Sequence, residues 1–247
     1  MRATALYCVL ALSFTSLSAV ADVLNETIAD EVAAVADRVV AWRRDIHANP
    51  ELSNREFRTS ELVAEHLHDL GIEVQTGVAH TGVVGVLEGG KPGPVIALRA
   101  DMDALPVTEK TGMPYASKVR GQYQGREVGV MHACGHDNHV AILMGAAEVL
   151  AAVRDELPGT VKFLFQPAEE GPPKGENGGA KMMIEEGVLQ NPQVDAVVGL
   201  HISQSDVVGR ASFRSLGMMA SAQRFDVEIT GSQTHGALPW SGVDPIV

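Results

Sequence analysis

The sequence predicts an α/β domain with a central, mixed and partly parallel sheet flanked by helices, followed by the start of a smaller α+β unit. Three observations carry that expectation. Short apolar runs rich in β-branched residues alternate with helical patterns between residues 73 and 200. Acids or a histidine follow directly after three of those runs, which suits a sheet whose strand ends share one edge. The chain has 247 residues, of which 45% are hydrophobic, enough for a sizeable core and unlike collagen, a disulfide scaffold or a disordered chain. The formal charge of −12 would repel nucleic acid and anionic membranes, so neither is expected as a partner.

The first element is expected to be removed. Arg2, an apolar run from Leu6 to Leu17 and the small-residue site Ala19-Val20-Ala21 read as a secretory signal over residues 1–21. The run is too short for a membrane span, which needs about 20 apolar residues, and no lipid anchor is expected at Cys8. The mature chain would be exported, periplasmic or secreted, and would keep one cysteine, Cys134, as a free thiol or a metal ligand.

The second element is a helix. Ile28, Val32, Val35, Val39, Trp42 and Ile46 form one apolar stripe, with Asn25 as the expected cap and Asn49-Pro50 as the stop. Another helix is predicted over residues 56–70, closed by Gly71. Strands are predicted over residues 73–76, 82–87 and 95–98. A long helix follows over 138–156, then a strand over 161–165, a helix over 179–186 and a strand over 196–200. The catalytic-type domain is expected to cover residues 22–210. A smaller unit begins over 211–247, where Phe225, Val227 and Ile229 alternate as in a half-exposed strand.

The candidate site residues follow from placement. The densest string is Met131-His-Ala-Cys-Gly-His-Asp-Asn-His139, which holds three of the nine histidines beside Cys134. Thiolate, imidazole and carboxylate are the usual ligands of zinc-like ions, and Gly135 lets the backbone turn between Cys134 and His136. A buried thiol beside a helix cap is the plainer alternative. Glu169 and Glu170 follow an apolar strand. Adjacent carboxylates can divide the work, one binding a metal and the other taking a proton, although such a pair can also be a solvated loop. Asp101 and Asp103 would share one side of an extended segment, where an aspartate can orient a ligand or simply cap a turn. His201 ends the last strand. His47, His66 and His68 read as surface residues, His80 as a turn residue without a partner, and His139 as a neighbour of the cluster at most.

Five strings then occur in order: Arg44-Asp-Ile-His-Ala-Asn-Pro-Glu-Leu-Ser, Ala97-Leu-Arg-Ala-Asp-Met-Asp-Ala-Leu-Pro, Met131-His-Ala-Cys-Gly-His-Asp, Phe165-Gln-Pro-Ala-Glu-Glu-Gly and Gly199-Leu-His. Together they resemble the di-metal amidohydrolases that include hippurate hydrolase and auxin–amino acid conjugate hydrolase, within the wider metallopeptidase group of aminoacylase. The resemblance implies a zinc-exopeptidase-like fold and hydrolysis of the amide bond of N-acyl amino acids by a metal-activated water. It implies two divalent ions (manganese, zinc, cobalt or nickel) held by Cys134, His136, Glu170 and His201. Glu169 is implied as general base and Asp103 as the carboxylate that orients a ligand beneath the metals. His235, in Gly231-Ser-Gln-Thr-His-Gly-Ala-Leu-Pro, is implied as an oxyanion donor reaching the partner subunit of a homodimer. It also implies a further histidine ligand after a complete lid. The chain stops at Val247, so it is expected to be the N-terminal half of a longer enzyme, folding poorly and inactive alone. Two other readings stay open, an inactive metal-binding fragment and an exported non-catalytic binding protein.

Overall fold

The computed structural model describes residues 2–219, 225 and 227–246, with side chains from residue 23. They fall into two compact units, Met1–Ile202 and Ser203–Val247.

In the first unit, α1 (Arg2–Ala48) runs through Asn25 without a break, so Asn25 caps nothing. The apolar stripe still does its work from Val35 onward, where Val35 and Ile46 are buried. α3 (His136–Ala152) packs along it so closely that a Cβ on Gly145 would lie 2.6 Å from Val39 Cγ2. α2 (Phe57–Asp69) ends as expected, with Gly71 at φ +67° donating its N–H to the His68 carbonyl.

The sheet has the order β1-β2-β6-β3-β7. β1 (Glu73–Val78), β2 (Gly82–Glu88) and β6 (Pro158–Gln166) pair antiparallel in sequence, whereas β3 (Lys91–Asp101) runs parallel to both β6 and β7 (Ala196–Gly199). This is the mixed, partly parallel sheet that the sequence pattern predicts. Alternation along β6 divides the core. Val161, Phe163 and Phe165 pack with Ile46, Val63, Leu67 and Met144 beneath α1, α2 and α3. Leu164 faces the other way, with Val84, Ala97 and Met183 of α4 (Gly179–Glu185). Complete burial of a side chain such as Phe163 contributes about 1.5–3 kcal/mol. A separate hairpin of β4 (Arg120–Tyr123) and β5 (Arg126–Gly129) turns at Gln124-Gly125. Among the described residues no helix is long and apolar enough to cross a membrane.

Residues 50–56 lace this layer together. Leu52 bridges to Ala104, and Glu51 accepts the Arg58 and Thr59 N–H groups at the head of α2. Glu56 is fully buried there and accepts hydrogen bonds from the Thr81 hydroxyl at 2.5 Å and the Ala168 N–H at 2.8 Å. Burial pushes its carboxyl up to about 7 despite those bonds. A carboxyl raised above its unfolded value holds an extra proton in the fold. Its contribution to stability is full below about pH 4.5 and is lost as pH climbs through about 7. Glu56→Gln keeps a carbonyl acceptor for Ala168 and carries no charge, so its melting temperature should exceed the parent's above pH 7 by several degrees. The gap should close toward pH 5. Thermal melts from pH 5 to 8 check this, and parallel curves for the two proteins would refute it.

The second unit, by itself, holds a bridge between Ser232 and Val243 and a 3-10 turn at Pro239–Ser241. The strand expected over residues 221–230 lies partly outside the described residues. Phe225, Val227 and Ile229, which are described, form no strand and are exposed.

Candidate metal centre

Parallel pairing sets the site. Asp101 lies opposite Gln166 and Arg99 opposite Gly199, so the chain leaves β3, β6 and β7 at one edge. The segments that follow carry Asp103, Glu169 with Glu170, and His201. The start of α3 comes to the same edge. There Gly135 adopts φ +98°, a left-handed conformation that disfavours any side chain, and a Cβ would also press on Ile202 at 3.2 Å. This turn sets Cys134 and His136 against the strand ends.

The donor atoms converge in overlapping groups. Those of Cys134, His136 and His201 lie within 4.8 Å of one another, as do those of His136, Glu169 and Glu170. Cys134 Sγ is 3.5 Å from His201 Nε2, and His136 Nε2 is 3.7 Å from a Glu169 carboxylate oxygen. Both rings are oriented from behind. His136 Nδ1 donates to the Asp103 carbonyl at 2.8 Å, and His201 Nδ1 donates to the Ile202 carbonyl at 2.7 Å. In the neutral rings the lone pair therefore sits on Nε2, toward the cluster. His136 Nε2 is buried with no hydrogen-bond partner at all.

Burial works against charging His136, yet its bond to Asp103 and the charge of Asp101 raise it to about 9. Burial and the neighbouring Glu170 push the Cys134 thiol up to about 12. Burial raises Glu170 as well. A thiol, two imidazoles and two carboxylates with an orphaned ring nitrogen at their centre are a donor set that fits divalent ions such as zinc or manganese.

Asp103 sits beneath this set. Its carboxylate is buried and accepts from the Ser53 hydroxyl at 2.7 Å and from the Glu169 and Glu170 N–H groups at 3.0 Å each. Asp101 also borders the set, with Oδ2 3.6 Å from His136 Nε2, but it is engaged elsewhere: it accepts from His139 Nδ1 at 2.6 Å and pairs with Arg99 at 2.6 Å. Burial opposes its ionisation, but His139, His136 and Arg99 hold it down at about 2. His139 has both ring nitrogens engaged, because Nε2 accepts the Ile202 N–H at 3.0 Å. Although its donor atom is near those of Asp101 and His136, it has no free lone pair to offer, and it ties the His201 segment to β3.

Other histidines depart from their sequence reading. His47 is buried, with Nδ1 2.8 Å from Asp137 and Nε2 3.2 Å from Glu109, so it joins α1 to the start of α3 and is not a surface residue. His66 is half-buried against the Met144 carbonyl, and His80 has a partner in the Asn177 carbonyl. Only His68 is exposed as read. His132 is buried without partners, and burial lowers it to about 4. His235 belongs to the second unit, where it is exposed and its Nδ1 accepts the Ala237 N–H at 3.1 Å. Ser53 and Glu56 carry no role in the sequence reading. The motif containing Ser53 was the available signal for it, whereas nothing local marks Glu56.

Residues 97–234 match the model of peptidase family M20/M25/M40. The chain belongs to this family. Its relatives include the thermostable carboxypeptidase 2 of Saccharolobus solfataricus, 47% identical over 224 residues that cover 90% of this chain and 54% of that protein. The N-acetyl-L-cysteine deacetylase of Bacillus subtilis is 44% identical, covering 85% of this chain and 47% of its own. The IAA-amino acid hydrolase ILR1-like 2 of Arabidopsis thaliana is 45% identical, covering 86% and 45%. Among solved structures, this M20 chain is similar to the YXEP protein of Bacillus subtilis, described as a dinuclear metal binding peptidase. That match has TM-score 0.61 and 42% identity and covers 70% of this chain and 45% of that one. The M20 chain thus spans about half the length of the curated relatives it matches.

Proposed function

We propose that this chain contributes the metal-binding half of an exported amidohydrolase that cleaves the amide bond of N-acyl amino acids. The carrying observation is the buried, unpartnered Nε2 of His136 facing Glu169, with Cys134 and His201 alongside. Relatives named as an N-acetyl-L-cysteine deacetylase and an N-acyl-L-amino acid amidohydrolase support the substrate class. The signal-like residues 1–21 support export.

In this reading Cys134, His136, Glu170 and His201 hold two divalent ions, which when bound make water acidic enough to act as a nucleophile near neutral pH. Glu169 takes a proton from the attacking water at its carboxylate and delivers it to the leaving nitrogen. Asp103 holds the backbone under both glutamates so that their side chains keep separate roles. His235, by family resemblance, donates to the developing oxyanion from a partner copy, a contribution of about 10²–10³ in rate for such donors.

Calorimetric titration of manganese, zinc and cobalt into the chain and into Cys134→Ala tests the centre. Loss of a direct ligand should weaken binding at least as much as loss of an outer partner, about 10–100-fold. The loaded protein is then assayed on hippurate and N-acetyl amino acids. Equal metal affinity in parent and variant would overturn the ligand set. Tight metal binding without hydrolysis in a chain extended to the relatives' length would favour a non-catalytic binding protein.

A further inference from the structure

No step above uses Glu56, yet its place in the fold is unusual. Its carboxylate is completely buried and spans two elements. One oxygen accepts the Thr81 hydroxyl between β1 and β2, and the other accepts the Ala168 N–H. An ionisable group in a dry setting is an expensive filler, and an apolar side chain would pack there at lower cost. The acceptor must therefore serve something.

Ala168 shows what it serves. It is buried, it precedes the glutamate pair, and it holds φ +49° without being glycine. An L-residue in the left-handed region is strained and persists only where its surroundings impose it. The next two N–H groups, of Glu169 and Glu170, both go to Asp103. Three successive amides are thus held by two buried carboxylates, Glu56 and Asp103. With the backbone pinned inward, the Glu169 side chain reaches His136 and joins Glu170 in the donor cluster.

We propose that Glu56 is a positioning residue of this centre: by holding the Ala168 amide it sets the left-handed turn that aims Glu169 and Glu170 into the donor cluster. The inference rests on the reading of that cluster as a metal centre, and the two can fail separately. Glu56→Gln keeps a carbonyl oxygen for Ala168 and an amide group for Thr81, whereas Glu56→Asp is one methylene too short to reach both. Amide hydrogen exchange is followed in the intact chain at residues 168–170 and, as an internal reference, at residues 163–165 of β6. Manganese affinity is measured by calorimetry on the same proteins.

Glu56→Asp should lose protection at 168–170 by about tenfold or more while β6 keeps its own. Its manganese affinity should fall about 10–100-fold. Glu56→Gln should retain both properties. The affinity loss should vanish in a Glu170→Gln background, because the two changes then act on one feature. If Glu56→Asp fails to fold, Thr81→Val, which frees the other carboxylate oxygen, is read by the same criteria. Equal loss of protection in β6 would make Glu56 a general structural residue and overturn the proposal. So would a Glu56→Gln protein that behaves like Glu56→Asp. If no protein, the parent included, binds manganese, the metal reading fails, and the exchange pattern still decides whether Glu56 holds the turn.

Discussion

Glu169→Gln is expected to lower kcat about 10²–10⁴-fold in a chain extended to the length of its relatives, while metal stays bound. The Glu169 carboxylate stands 3.7 Å from His136 Nε2, and its backbone is held independently by Asp103. An amide of the same shape keeps the loop in place but cannot accept a proton. Glu170→Gln should do the reverse. A neutral amide is a poorer ligand than a carboxylate, so metal affinity should drop and activity should return at high metal concentration. Turnover on an N-acyl amino acid, measured beside metal content, separates the two. Metal loss in the Glu169 variant with retention in the Glu170 variant would exchange their roles.

Asp103→Ala should destabilise the chain by about 3–5 kcal/mol, the range for removing one partner from a buried ionic cluster. The change strands the Ser53 hydroxyl, two amide N–H groups and the face of His136, whose Nδ1 lies 3.3 Å from the lost carboxylate. Metal binding should fail with it, because both glutamates lose their backbone support. Burial opposes ionisation of Asp103, but His136 and Ser53 hold it below the ordinary 3.8. Its contribution to stability is therefore full above about pH 4 and disappears on further acidification, so parent and variant should converge in acid. Urea unfolding at pH 7 and at pH 3 measures this. A loss under 1 kcal/mol at pH 7 would show that the loop does not depend on Asp103.

The strands that carry the site were readable as short runs rich in apolar residues, although β7 is exposed along its length. Val95 to Leu98 is a continuous apolar run, and Val161 to Phe165 is interrupted only by Lys162, which is itself buried, as suits strands covered on two sides. The β4–β5 hairpin was not readable. Its strands, Arg-Gly-Gln-Tyr and Arg-Glu-Val-Gly, are mostly polar and exposed, and its signal is only the pair of left-handed residues at Gln124-Gly125. Asn25 failed as a cap because a capping residue type acts only where a helix begins, and α1 is already helical there. Within the site, the donors themselves stood at strand ends or beside a glycine turn. Their supports did not. Glu56 meets Ala168 from 112 residues away and His47 meets Asp137 from 90. No local pattern reports a hydrogen bond across that separation.

The convergence of β3, β6, β7 and the head of α3 at one edge also orders events in time. His136, Glu170 and His201 come from three separate stretches, and Asp103 beneath them from a fourth, so no pair of early local contacts can assemble the donor set. Loop closure over such separations is the slow part of building a parallel sheet. A nascent chain must expose His201 before the cluster can close, and any ion captured earlier would meet only scattered ligands. Once the edge is closed, an ion that binds the folded form alone stabilises it by mass action, by about 2.7 kcal/mol at one hundred times its dissociation constant. On the proposed reading such an ion would act as a latch applied after the sheet is built, its concentration setting how much of the time the finished edge is open.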